Sequence, residues 1–337
     1  MNGFPSVVSD KLCVVANITS GLTPPSAEHL ASEIHTRRRH PERCQTRHWP
    51  FRADVCRCGG FVIGALHPYD SAMPKLTIRG FDLDYDIAGS GPQPPLIWGH
   101  GLTGSRGISA AYPLVDLKPA EVDRPVVRYD ARGHGMSGLI EDATKGSWAE
   151  LAQDQIGLVD HLGYERVVIG GISMGAGTAL HAALELRERL EKMVLVIPPT
   201  GWEERAPQID LYEQMARVVE ERGPKALIAA SAKMPPPDPF VGTSEHGDRR
   251  AGSLGSYTPA LLAACFRGAA FADLPALDDI ATITTPTLVL AWTGDPGHPV
   301  STAERLGDTL PNVQVSVAST RADFATWSDQ LHRFLAN

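Results

Sequence analysis

The chain lacks most of what would make it a secreted scaffold, a membrane protein or a nucleic-acid binder. Its 337 residues include five cysteines, and four of these (Cys13, Cys44, Cys56, Cys58) fall in the first 72 residues. A small disulfide-stapled module is therefore excluded. Positive charge is in deficit, with 31 Lys+Arg against 39 Asp+Glu and a net charge of −8. The whole protein has no electrostatic reason to seek DNA, RNA or an anionic membrane, so nucleic acid is not an expected partner. No stretch approaches the roughly 20 consecutive apolar residues of a bilayer span, and the first thirty residues lack a long apolar core beside a small-residue cleavage site. The expectation is a soluble, cytoplasmic protein. What is present is bulk: 43% of the residues are hydrophobic, and the length suits one large domain or two ordinary ones.

The first 72 residues differ from the rest. They carry eight basic and six acidic residues, the run Arg37-Arg38-Arg39-His40, and only short apolar runs without sustained periodicity. His40, Cys44, His48, Cys56 and Cys58 offer soft metal ligands, but zinc modules bring their ligands in CxxC-like pairs. Here Cys56-Arg57-Cys58 is a CxC, and Cys44 to His48 has no matching second pair. No metal site is expected. A poorly structured N-terminal extension, or an over-long gene start upstream of Met73, is the simpler reading of residues 1–72.

From Met73 onward the chain reads as alternating strands and helices. Residues 75–79 and 81–87 alternate polar and apolar about Gly80, a hairpin signal. Short apolar runs at 95–99, 125–129, 166–170, 193–197, 287–292 and 313–317 have the character of buried parallel strands. Helical spacing of apolar residues marks 147–161, 176–189, 302–310 and 324–335 between and after them. This pattern predicts an α/β fold, a mostly parallel sheet with helices on both faces, and ligands bound beyond the carboxyl ends of the strands. One interruption, at about 199–277, is too long for a single crossover. Helical segments at 209–222 and 259–271 and the Pro-rich loop at 235–239 make it an inserted helical cap that shapes access to the site.

Gly171-Ile172-Ser173-Met174-Gly175 matches the G-x-S-x-G nucleophile elbow, with a predicted strand before it and a predicted helix after it. A tight strand-to-helix turn lifts the serine oxygen above the sheet, and glycine on either side avoids crowding the strained backbone. The helix start makes the Met174 N–H a natural oxyanion donor. No G-x-G-x-x-G or phosphate loop accompanies the elbow, so no cofactor is expected.

Two further motifs follow strands upstream: His100-Gly101-Leu102-Thr103-Gly104-Ser105 and Asp130-Ala131-Arg132-Gly133-His134-Gly135-Met136-Ser137. With the elbow, they give the order strand, HG loop, strand, DxRGxGxS loop, strand, elbow, which resembles the α/β-hydrolase superfamily over essentially all of residues 73–337. The resemblance implies that Leu102 supplies the second oxyanion N–H. It also puts the triad acid in the Thr293-Gly294-Asp295-Pro296-Gly297-His298-Pro299 loop, at Asp295, in the family order Ser, Asp, His. His134 and His100 read as loop-organising residues, His100 staying in play because of its nearness to the site.

The base is where this sequence departs from the family. The histidine is expected after the last strand, where the chain reads Thr320-Arg321-Ala322-Asp323-Phe324. Asp323 takes the histidine's slot, and the later His332 lies inside the closing helix. His298 is the first candidate for the base, because triads are defined by geometry rather than chain position. His100, Asp323 and the cap residue His246 are the possible substitutes near the site. The expected function is hydrolysis of a small ester, lactone or related acyl compound through Ser173, the substrate being a small and largely apolar molecule. The alternatives are a catalytically impaired small-molecule binder and a base-independent isomerase or lyase.

Overall fold

A computed structural model of the chain describes residues 75–140 and 142–337, together with the backbone of residues 55–58 and 61–64. The chain divides into two units, Met1–Asp70 and Ser71–Asn337. In the first, strands β1 (Val55–Cys58) and β2 (Phe61–Gly64) pair antiparallel. The expectation of a poorly structured extension otherwise falls outside the described residues. So do the basic run and the side chains of His40, Cys44, His48, Cys56 and Cys58.

The second unit is built on one eight-stranded sheet. Its strands are β3 (Lys75–Ile78), β4 (Phe81–Ala88), β5 (Leu96–Gly99), β6 (Val126–Tyr129), β7 (Val167–Ile172), β8 (Leu190–Val196), β9 (Thr287–Trp292) and β10 (Val313–Ala318), in the spatial order β10-β9-β8-β7-β5-β6-β4-β3. Strands β5 to β10 run parallel, and β3 and β4 pair antiparallel at one edge. The hairpin turns at Arg79 and Gly80, both at positive φ, as a two-residue type I′ turn requires. β5, β7 and β9 are buried along their whole length, which is why they read as near-continuous apolar runs.

Period-2 alternation splits these strands between two cores. Ile97, Ile169, Leu195 and Val289 face the helices Trp148–His161, Met174–Leu186 and Val300–Thr309. Leu96, Val168, Val194 and Leu290 face Trp327, Leu331 and Phe334 on the other side. The closing helix expected over 324–335 is in fact two, Arg321–Ala325 and Trp327–Ala336, broken at Thr326. A capping box starts the first: the Thr320 hydroxyl accepts from the Asp323 N–H, and the Asp323 carboxylate accepts from the Thr320 N–H.

Between β8 and β9 lies the insertion, with helices Ala206–Arg222, Pro224–Ser231, Glu245–Gly255 and Pro259–Ala270. The second and third of these escape sequence reading. Pro224–Ser231 spans only two turns, and Glu245–Gly255 is polar along much of its length. The insertion has a core of its own, including Val219, Leu227, Leu254, Leu262 and Phe266. Arg205 fastens its two ends together. Its guanidinium donates to the carbonyls of Ala272 and Ala269 at 2.7 and 2.5 Å and to the Thr200 hydroxyl at 3.2 Å, and lies over the Trp148 ring.

Chain order reverses about β5: the chain passes from β5 to β6 on one side, then returns through β7 on the other. The loops leaving β5 and β7 therefore diverge and open a crevice at the strand ends.

Candidate active site

Ser173 closes β7 and opens the helix Met174–Leu186 at φ +53° and ψ −109°, a conformation that side-chain-bearing residues seldom adopt. Its N–H donates to the Val196 carbonyl at 2.9 Å, which fixes the turn to β8. The turn fits because glycines line it. A Cβ on Gly171 would lie 2.6 Å from the Gly99 oxygen, and one on Gly175 would lie 2.6 Å from the Gly99 carbonyl carbon. Gly175→Ala is thus expected to push the elbow helix off β5. Urea denaturation should register a loss of about 1–3 kcal/mol, and ester turnover should fall about 100-fold, since a displacement near 1 Å suffices for that.

His298 meets the serine. Its Nε2 lies 2.7 Å from Ser173 Oγ, and its Nδ1 lies 2.8 Å from Asp295 Oδ2. With the proton on Nδ1, the imidazole donates to the carboxylate and accepts from the hydroxyl. One β-turn makes this possible. The His298 N–H donates to the Asp295 carbonyl at 3.1 Å, and the Gly297 N–H donates to Asp295 Oδ1 at 3.0 Å. Pro296 stands at the second position of that turn, where a fixed φ is favoured, and Pro299 ends the loop.

Asp295 is further held by the Trp292 indole N–H, 3.0 Å from Oδ2. Burial pushes its carboxyl pKa up. The neighbouring His298 and the hydrogen bonds from His298, Gly297 and Trp292 outweigh that and hold it well below the usual carboxylate range. The indole stacks on Trp327, with ring centroids 5.8 Å apart, so the acid rests on the aromatic core.

The other candidates lie elsewhere or are committed to other bonds. His100 is buried, its Nδ1 donating to the Gly101 carbonyl at 2.8 Å while its Nε2 accepts from the Ala131 N–H at 3.0 Å. Both ring nitrogens are engaged, so it ties the HG loop to the next one. His134 is buried beside it, with Nδ1 2.8 Å from the Arg132 carbonyl. Asp323 sits exposed at the surface, its carboxylate accepting from the Ser319 and Thr320 N–H groups in the capping box. His246 does line the cavity that holds Ser173, with its ring near Phe240 and Trp292, and burial followed by the charge of Arg250 pushes its pKa down to about 4.

Leu102 lies in the HG loop beside the serine, and Met174 is the first residue of the elbow helix. The N–H groups at a helix start have no intrahelical partner. Asp130 braces this side. Its carboxylate accepts from the Arg106 N–H at 2.7 Å and the Met136 N–H at 2.9 Å, while the buried Arg106 guanidinium pairs with Asp84 and Asp86. The cavity between sheet and insertion measures about 310 Å³ and is lined mainly by apolar and aromatic side chains, suiting a small, largely apolar substrate. No helix of the described residues is long and apolar enough to cross a membrane.

Serine, imidazole and carboxylate in one hydrogen-bonded line can activate a hydroxyl for attack on an acyl carbon. Comparison with known proteins bears on the fold and the family. The protein RutD of Caulobacter vibrioides is 27% identical over 278 residues, which cover 78% of this chain and 99% of that protein. The 3-oxoadipate enol-lactonase 1 of Acinetobacter baylyi is 30% identical over 181 residues, covering 53% of this chain and 64% of the relative. Among solved structures, a hydrolase from Pseudomonas aeruginosa shares the fold with a TM-score of 0.67 at 22% identity, over 79% of this chain and 99% of that one. Residues 96–326 match the family model described as the alpha/beta hydrolase family, and the chain belongs to that family, with its histidine displaced from the loop after the last strand to the loop after β9.

Proposed function

We propose that the protein hydrolyses a small ester, lactone or related acyl compound, with Ser173 as nucleophile, His298 as base, Asp295 as the orienting acid, and the N–H groups of Leu102 and Met174 as oxyanion donors. The hydrogen-bonded line from Asp295 through His298 to Ser173 carries the reading. Ser173 Oγ attacks the acyl carbon as its proton passes to His298 Nε2, and the carbonyl oxygen becomes an oxyanion facing the two N–H groups. Collapse breaks the bond to the leaving oxygen, which takes the proton from His298. Water then attacks the acyl-serine by the same route, releasing the acid and restoring the hydroxyl.

The Acinetobacter relative is named as an enol-lactonase, and a lactone is a cyclic ester, within the class proposed here. The binder and isomerase alternatives drew on a missing base, and that motive lapses with an imidazole 2.7 Å from the serine oxygen. In this reading residues 73–337 are the working body and the cap at about 199–277 governs access. A cytoplasmic location fits the free, buried thiol of Cys265.

A fluorophosphonate probe tests the reading. Intact-mass spectrometry should show one phosphonyl group per chain, and peptide mapping should put it on Ser173. Absence of an adduct on the folded protein would sink the hydrolase assignment.

A further inference from the structure

One wall of the cavity is the helix Glu245–Gly255, and its inward stripe is polar. His246, Arg249, Arg250 and Ser253 stand at helical positions i, i+3, i+4 and i+7, and all four line the space that holds Ser173. Ser253 fixes the helix against the HG loop, its hydroxyl donating to the Thr103 carbonyl at 2.6 Å. Arg249 is held on one side, its guanidinium donating to the neutral Tyr112 carbonyl.

Arg250 is in a different position. Among the described residues no ion pair, hydrogen bond or ring contact is made by its guanidinium, although the side chain is partly buried. Asp295 lies within electrostatic range, but its carboxylate is already held by Trp292, Gly297 and His298. His246 brings no second charge at neutral pH, its pKa being pushed down to about 4.

A guanidinium taken partly out of water without a counter-charge is unfavourable, and a ligand that supplies the charge removes the penalty. The planar fork of arginine matches a carboxylate through two parallel N–H···O bonds. The neighbouring walls, such as Ile108, Leu211, Met215 and Phe266, suit a carbon chain.

We infer that the substrate is an ester or lactone that also carries a carboxylate, which Arg250 holds while the acyl carbon lies against Ser173. The inference rests on the hydrolase reading above and names its substrate class. A phosphate monoester would bring a second negative charge close to Asp295, so the singly charged carboxylate is the better match.

Two chromogenic esters decide it. Mono-4-nitrophenyl glutarate and 4-nitrophenyl hexanoate share a leaving group and a similar chain length, but only the first ends in a carboxylate. The wild-type protein should prefer the glutarate by about 10- to 100-fold in kcat/KM, mostly through KM. Arg250→Gln should bring the ratio near one, and Arg250→Lys should restore part of it, because the charge returns without the fork. Arg250→Met, which keeps the apolar stem, replaces the Gln variant if that one does not fold. A wild-type preference for the hexanoate, or a glutarate preference that survives in a folded Arg250→Gln protein, would overturn the inference. Should neither ester be cleaved, the hydrolase reading fails and binding still decides. Calorimetry with the glutarate ester on Ser173→Ala should give a Kd that weakens about 10- to 100-fold in Ser173→Ala/Arg250→Gln, whereas no binding, or binding indifferent to Arg250, counts against the carboxylate site.

Discussion

Replacing His298 by Ala is expected to lower kcat for an activated ester on the order of 10⁴- to 10⁶-fold, with KM changed little. A serine hydroxyl is a weak nucleophile until a base within hydrogen-bond reach takes its proton. The imidazole 2.7 Å from Ser173 Oγ is placed to do this, whereas His100 has both ring nitrogens engaged and Asp323 faces solvent in a capping box. Residual turnover would come from the Leu102 and Met174 N–H groups and from binding. Asp323→Ala provides the contrast. Loss of the capping box should lower the melting temperature slightly and leave kcat within a few-fold of wild type. Stopped-flow hydrolysis of a 4-nitrophenyl ester measures both variants, and a His298→Ala protein retaining a tenth of wild-type kcat would remove His298 from the mechanism.

Ser173→Ala should reduce kcat on the order of 10⁶-fold, and combining it with His298→Ala should add almost nothing. The two residues act as one device. The hydroxyl without the imidazole is inert, and the imidazole without the hydroxyl has no proton to take. Free energies from the single variants will therefore not sum, and near-equality of the single and double variants is the signature of that coupling. An additive double variant would mean that His298 works through some other group. Burial and melting behaviour should change little in Ser173→Ala, because the strained elbow is fixed by the Ser173 N–H to Val196 and by Gly99, Gly171 and Gly175 rather than by the hydroxyl.

Much of the architecture was readable because its causes are local. β5 and β7 carry no polar side chain, and β9 only Thr287 at its start, since both faces are covered, and the elbow glycines are present because Gly99, Gly171 and Gly175 touch backbone to backbone. What resisted reading depends on non-local contacts. The helix Glu245–Gly255 is polar on the side that lines a cavity, so periodicity alone gives no core face to recognise. The closing helix breaks at Thr326, whose N–H and hydroxyl both turn back three residues to the Asp323 carbonyl. His298 could be named as a candidate from its loop, but its reach toward Ser173 depends on how far apart β7 and β9 lie across the intervening β8. That separation has no signature in a seven-residue loop. Arg250 was missed altogether, although the pattern His246, Arg249, Arg250, Ser253 could have marked a polar stripe at helical spacing.

Acid and base stand three residues apart in one turn, and this changes which parts of the sheet must stay still. In the usual arrangement the histidine hangs from the loop after the final strand. Here that strand, β10, pairs among the described residues with β9 alone, and most of its residues are partly or fully exposed. Such edges open at low free energy, long before the central strands do. Because Asp295 and His298 both descend from β9, and Ser173 from β7, brief fraying of the edge leaves the reacting atoms aligned. The cost of a restless boundary strand is then borne by the aromatic packing of Phe324 and Trp327 beneath the acid, and not by the proton path itself.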